Sequence, residues 1–376
     1  MILGITNEPR DYAWGSTTAI AELLGRPASG HPEAEYWLGT HPGSPSQLVD
    51  PQDSGGVTLL SELTTLPFLL KVLAADAPLS LQAHPTSAQA KEGFERENAQ
   101  GIPLDSPNRN YRDGRHKPEL IYALSDEFVA LCGFRSVPAT RELLEALGDE
   151  PVIAAFRSRL VDDESLEPLL EWLLSRSPGV AELVSRVVER SSELVGAEFG
   201  MVGELAAEYP GDPAVVVALL LNRVVLSPGQ VLYLPAGNVH AYLRGVGIEL
   251  MSASDNVLRG GFTPKHVDVP ELMRVLDFES EAPPFLSPDA STPGIHIFRP
   301  DVPDFELVVV RPTDSPVSFE PPGESILLCT AGEVRVEGTR SAVSLLRGDS
   351  VYVTVDEGFL EFSGTGRVFL ATINAR

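Results

Sequence analysis

Basic residues are scarce in this chain. Twenty-eight lysines and arginines stand against 53 aspartates and glutamates in 376 residues, a formal net charge of −25. Such a surface repels phosphate backbones and anionic lipid, which argues against nucleic-acid and membrane partners. Any anion bound here must sit in a local cluster of cations that opposes the field of the whole. Cysteine is scarcer still: Cys132 in Val-Ala-Leu-Cys-Gly and Cys329 in Ile-Leu-Leu-Cys-Thr lie far apart in apolar runs. They read as buried thiols of a reducing compartment. Long hydrophobic runs are missing too, since the densest, 215–226, is broken by Asn222 and Arg223 and is too short to span a bilayer. The opening Met-Ile-Leu-Gly-Ile-Thr-Asn-Glu-Pro has neither a basic region nor an extended apolar one. The expectation is a cytoplasmic protein without a secretory signal.

Familiar catalytic signatures are also absent. There is no Gly-x-x-x-x-Gly-Lys-Ser/Thr, no Gly-x-Ser-x-Gly, no His-Glu-x-x-His and no Cys-x-x-Cys, and Gly364-Thr-Gly-Arg-Val-Phe lacks the third glycine of a dinucleotide loop. What is present is ordinary globular composition, 43% apolar and 22% charged, punctuated evenly by 32 glycines and 32 prolines. Between these breaks lie short runs rich in β-branched and aromatic residues, at 67–73, 79–83, 119–124, 224–226, 231–234 and 247–251. Others follow at 305–310, 325–329, 334–337, 350–355 and 368–372. From 140 to about 225 the apolar period becomes 3.6, as in Val180-Ala-Glu-Leu-Val-Ser-Arg-Val-Val. The fold expected is mostly β, jelly rolls or similar sandwiches, with a helical insertion. Gly229-Gln-Val-Leu-Tyr-Leu-Pro aligns with Gly348-Asp-Ser-Val-Tyr-Val-Thr, a weak internal repeat that points to two related β units. His240 follows the first copy and no histidine follows the second, so a histidine metal site is expected only in the first.

Three segments carry candidate chemistry. In Leu79-Ser-Leu-Gln-Ala-His-Pro, Gln82 and His84 are two apart and share one face of a strand. In His116-Lys-Pro-Glu-Leu-Ile-Tyr, Lys117 and Glu119 do the same. Leu234-Pro-Ala-Gly-Asn-Val-His-Ala-Tyr ends a strand in a tight turn and presents His240. Taken singly, each reads equally as a solvated polar pair or a lone histidine. Taken together, two imidazoles and two hard oxygens suit a catalytic Zn²⁺ or similar ion.

These segments, with Tyr12-Ala-Trp-Gly-Ser, Ala34-Glu-Tyr-Trp-Leu-Gly-Thr-His-Pro-Gly-Ser-Pro-Ser, Asn110-Tyr-Arg-Asp-Gly-Arg-His-Lys-Pro-Glu-Leu and Gly247-Ile-Glu-Leu-Met-Ser-Ala-Ser-Asp-Asn-Val-Leu-Arg-Gly-Gly-Phe-Thr-Pro-Lys, resemble type I phosphomannose isomerase. The likeness runs nearly the whole chain. It implies two cupin-type jelly rolls: a catalytic one at 1–139 and 216–265, a helical insertion at 140–215, and a metal-free one at 266–376. It further implies one Zn²⁺ per chain on Gln82, His84, Glu119 and His240, and a pocket of Trp14, Glu35, Ser80, Lys117, Glu249, Asp255, Arg259 and Lys265. The implied reaction interconverts mannose 6-phosphate and fructose 6-phosphate through a cis-enediol, in a monomer acting on a small sugar phosphate.

Glu249 is the expected general base, because a carboxylate on the apolar strand 247–251 is costly without a purpose. Lys117 is the second candidate, and a buried ion pair is the competing reading of Glu249. For the phosphate dianion, Arg109, Arg112, Arg115 and Lys117 form one cluster and Arg259 with Lys265 another. A cupin oxygenase, a sugar sensor and an isomerase for a different sugar phosphate remain as alternatives. Gln82 fits the first poorly, and the second would be expected to have lost one of these residues.

Overall fold

A computed structural model describes residues 1–313 and 315–375. Alternation along the strands decides where each side chain goes. In the strand Phe68–Ala75, Leu70, Val72 and Ala74 enter one core, while Leu69, Lys71 and Leu73 face the other way. The long strand His240–Ser252 runs antiparallel beside it, with Ile248 and Leu250 joining the first core and Glu249 opposite Lys71. Each fully buried aliphatic side chain contributes about 1.5–3 kcal/mol, so a one-residue slip that exposed this row would be strongly disfavoured.

Among the described residues the strands form two antiparallel sheets. In the first, the spine is Leu258–Gly261, Leu81–Ala83, His240–Ser252, Phe68–Ala75 and Glu35–Gly39, with four further strands from 119 to 234 attached. The second is built around Leu360–Thr372 and Ser325–Glu337. The two sheets meet through one core, in which Leu70, Val72, Ile248 and Leu250 pack with Ile326, Leu328 and Phe369. The remaining face of the second sheet is filled with Val, Leu, Ile and Phe, including Val308, Leu327 and Leu370, around Cys329. Cys132 and Cys329 are both free and buried.

Helices occupy most of 137–220. In Val180–Ser192 the buried residues Val180, Leu183, Val184 and Val187 fall at steps of three and four. This insertion packs its apolar faces against Phe134, Leu131 and Ala241 of the first sheet. No helix among the described residues is long and apolar enough to cross a membrane.

The structure differs from expectation in several places. The helical stretch stops at Leu220, and Leu221–Leu226 is a strand; the unbroken buried run Ala214–Leu221 hides the switch from any periodicity. The expected boundary at 215/216 thus falls inside the helix Ala214–Val217. The runs 325–329 and 334–337 are one strand with an irregularity between Cys329 and Ala331. Ile2–Thr6 pairs with Ser350–Val353 of the second sheet, with Leu3 and Ile5 buried in the shared core. A helix at Ser87–Ala99 was not expected at all. The internal repeat corresponds to a shared turn: Gly229 and Gly348 take φ of 96° and 99°, a left-handed conformation that disfavours any Cβ, ahead of Val231–Leu234 and Ser350–Val353.

Candidate active site

Strand register gathers the ligands expected from the sequence. His240 pairs with Gln82, Arg259 pairs with Gln82 from its other side, and Glu119 pairs with Met251. His84 follows Leu81–Ala83 directly. The ligating atoms of His84, Glu119 and His240 lie within 4.8 Å of one another, and all three side chains are buried. Glu119 Oε1 is 3.3 Å from His84 Nε2 and its Oε2 is 3.5 Å from His240 Nε2, while the Gln82 amide lies 3.4 Å from His240 Nε2.

Hydrogen bonds on the far side of each ring set its tautomer. His84 Nδ1 is 2.8 Å from the Asn256 carbonyl and His240 Nδ1 is 3.0 Å from the Asn238 carbonyl. Carbonyls only accept, so each Nδ1 holds the proton and each Nε2 lone pair faces the cluster. His84 Nε2 and Glu119 Oε2 are buried with no hydrogen-bond partner, which costs about 1–3 kcal/mol for each group left so. Burial and Lys117 push His84 down to about 4, leaving it neutral as a ligand must be. Burial alone would raise Glu119, yet the Lys117 ammonium, 2.7 Å away, holds it well below the usual carboxylate range. The donor set fits a divalent metal.

Above the cluster opens a cleft of about 470 Å³, lined by Trp14, Glu35, Ser80, Gln82, Lys117, Asp255, Arg259 and Lys265. Glu249 is not on its wall. It is 3% exposed behind Lys71, whose Nζ lies 2.8 Å from Glu249 and 3.4 Å from Glu35, and Trp37 Nε1 donates to Glu35 at 3.0 Å. Burial and the Glu119 and Glu35 charges raise Glu249 against the pull of Lys71. Burial would lower Lys71, but Glu249 and Glu35 outweigh it and keep the ammonium charged. Across the cleft, burial lowers Arg259 and Lys265, and the charge of Arg112 lowers both further. Cations crowded in this way form a place for an anion in an acidic protein. Arg109 is not part of it: buried, it binds Glu97 at 2.9 Å and the carbonyls of Tyr111 and Ile102.

A family model described as phosphomannose isomerase type I, catalytic domain, matches residues 2–137. Mannose-6-phosphate isomerase of Escherichia coli (strain K12) is 36% identical over 383 residues, covering 97% of both chains. The chain belongs to the type I phosphomannose isomerases. The human mannose-6-phosphate isomerase is 31% identical over 400 residues, covering 93% of this chain and 92% of that one. Among solved structures, a zinc-bound mannose 6-phosphate isomerase superposes with a TM-score of 0.91 at 33% identity over 99% of both chains. A variant of the Salmonella typhimurium phosphomannose isomerase gives 0.90 at 33% identity over the same share.

Several residues of this type I phosphomannose isomerase escaped the sequence reading. Lys71 and Trp37 line the cleft, and so do Glu208 and Tyr209 from the helical insertion. The argument that singled out Glu249 applies equally to Lys71, a lone charge in Phe-Leu-Leu-Lys-Val-Leu, and would have found it. Nothing local marks Glu208 or Tyr209, which reach the cleft only through tertiary packing; Tyr209 Oη donates to the Pro78 carbonyl at 3.0 Å.

Proposed function

We propose that the chain interconverts mannose 6-phosphate and fructose 6-phosphate as a zinc-dependent isomerase. One observation carries the reading: a buried imidazole–carboxylate cluster with unpartnered ligating atoms lies at the foot of a cleft whose rim holds crowded cations. Gln82, His84, Glu119 and His240 hold the zinc. When bound, the ion supplies Lewis acidity for the charge that develops as a sugar C–H proton leaves. Gln82 enters through a half-turn of its amide, whose Oε1 otherwise accepts from Ser80 Oγ at 3.2 Å.

The phosphate dianion lies against Arg259 and Lys265, with Arg112 adding charge, which leaves the sugar chain directed toward the metal cluster. Trp14 and Glu35 offer an apolar face and a fixed acceptor for the hydroxyls. The proton moves through Glu249, the carboxyl of the site with raised proton affinity, and Lys71 joins it to the cleft. Lys117 is the competing carrier, favoured by its place on the cleft wall. The two sheets are read as two cupin-type jelly rolls, metal-bearing and metal-free, with the helices inserted in the first. Strand sharing by His240–Ser252, which pairs at one end with Leu81–Ala83 and Phe128–Phe134 and at the other with Phe68–Ala75 and Glu119–Ala123, supports this. Free, buried cysteines support a cytoplasmic setting.

Assays with mannose 6-phosphate and glucose 6-phosphate side by side test the reading. Conversion of the first alone to fructose 6-phosphate is expected. Preference for the second would assign the site to a different aldose–ketose pair.

A further inference from the structure

Asn256 belongs to neither the metal ligands nor the cleft wall, yet it is fully buried and touches both halves of the site. Its backbone carbonyl is the acceptor that fixes the His84 ring, at 2.8 Å. Its side chain is spent on a different segment. Oδ1 accepts from the Arg112 N–H at 2.7 Å and from the Asp113 N–H at 3.3 Å. Nδ2 donates to the Asp113 carbonyl at 2.8 Å, to Asp113 Oδ1 at 3.2 Å and to the Arg115 carbonyl at 2.8 Å. The amide is thus fully used, and every bond it makes goes to 112–115.

Asp113 closes the same clasp from the other side. Its carboxylate accepts from Ser254 Oγ at 2.9 Å and from the Asp255 N–H at 3.0 Å, immediately before Asn256. Ser254 and Asp255 line the cleft, and Arg112 bears on Arg259 and Lys265. Segments 112–115 and 254–256 are therefore one unit, carrying a phosphate-side cation at one end and the orienting carbonyl of a metal ligand at the other.

We infer that Asn256 is a positioning residue that ties the metal ligand His84 to the segment carrying Arg112, so that metal affinity and anion affinity depend on the same side chain. The inference rests on the zinc and phosphate assignments proposed above. Loss of the amide leaves 112–115 held only through Ser254 and Asp255, which loosens Arg112 at the cation cluster and the carbonyl behind His84. Outer-shell partners of metal ligands are typically worth 10–100-fold in metal affinity.

The test uses the full chain, with zinc affinity read by competition with a chelator and inorganic phosphate affinity read by calorimetric titration of the zinc-loaded protein. Asn256→Ala is expected to weaken both by roughly tenfold, at the low end of that outer-shell effect. Asn256→Asp, nearly isosteric, keeps the acceptor but sets a carboxylate against the Asp113 and Arg115 carbonyls; it is expected to shift both in the same direction, and it carries the test if the alanine variant does not fold. Arg112→Ala is expected to weaken phosphate binding alone. A variant at 256 that lowers Tm while both affinities stay at wild-type values overturns the inference, as does one that shifts a single affinity. Wild-type protein that takes up neither one zinc nor phosphate removes the underlying reading instead, and the inference with it.

Discussion

Glu249 and Lys71 face one another across two antiparallel strands, and each makes the burial of the other tolerable. Glu249→Gln keeps the shape and removes the group that accepts a proton, while the Lys71 charge it neutralised is left to Glu35 at 3.4 Å. If the proton moves through Glu249, turnover is expected to fall roughly 10²-fold with KM little changed, since the lost interaction belongs to the transition state. Exchange of the substrate C2 proton with solvent deuterium should slow in parallel. Exchange at the wild-type rate in that variant would transfer the role to Lys117. At this scale much was legible. Gln82 with His84, and Lys117 with Glu119, stand out because polar pairs at two-residue spacing on apolar strands need a reason, and His240 because it follows a strand-ending turn. The Glu249–Lys71 pairing was not legible, because it depends on which strands lie side by side.

The elements differ in how plainly the sequence announces them. Val180–Ser192 shows its buried stripe openly, but Ser87–Ala99 is mostly polar and fully buries only Ala90, Gly93 and Glu97, with Phe94 half-buried against the core. Its one strong signal is local: Thr86 accepts from the Gln89 N–H, and the Gln89 side chain answers on Thr86, a capping box. Gly93 shows what the helix packs against. A Cβ there would come within 2.3 Å of the Tyr111 ring, which is 1% exposed and fixed by its hydroxyl to Glu271 at 2.6 Å. In an exposed helix Gly→Ala stabilises by up to about 1 kcal/mol. Overpacking a rigid aromatic costs about 1–3 kcal/mol, so Gly93→Ala is expected to be net destabilising in urea denaturation. A gain in stability would mean that the ring yields.

On the scale of the whole molecule, the second sheet anchors both the chain start and the interface beneath the site. Glu357, buried, takes the Met1 amine at 2.8 Å, the Ser341 hydroxyl and the backbone N–H groups of Arg340 and Ser341. Burial would raise its pKa, but these donors hold it at about 2 against an ordinary 4.5. A carboxyl with less affinity for protons when folded adds stability that is complete above its unfolded pKa and is lost as pH falls through the folded one. Glu357→Gln is therefore expected to lower Tm near neutrality and to flatten the acid decline between about pH 4.5 and 2. A parallel offset at every pH would contradict this. The mostly β class and the helical insertion could be read from periodicity. The crossing of Ile2–Thr6 into the second sheet could not, since pairing over such a separation leaves no local trace.

The central claim is that one metal ion, held by Gln82, His84, Glu119 and His240, is what makes the cleft an isomerase. Protein stripped of metal and titrated with Zn²⁺ tests it most directly, with mannose 6-phosphate turnover followed at each addition. Activity is expected to be absent at the start, to rise linearly and to break at about one equivalent per chain, as a single four-ligand site requires. Activity that persists in metal-free protein, or protein that stays inactive when fully loaded, would contradict the account.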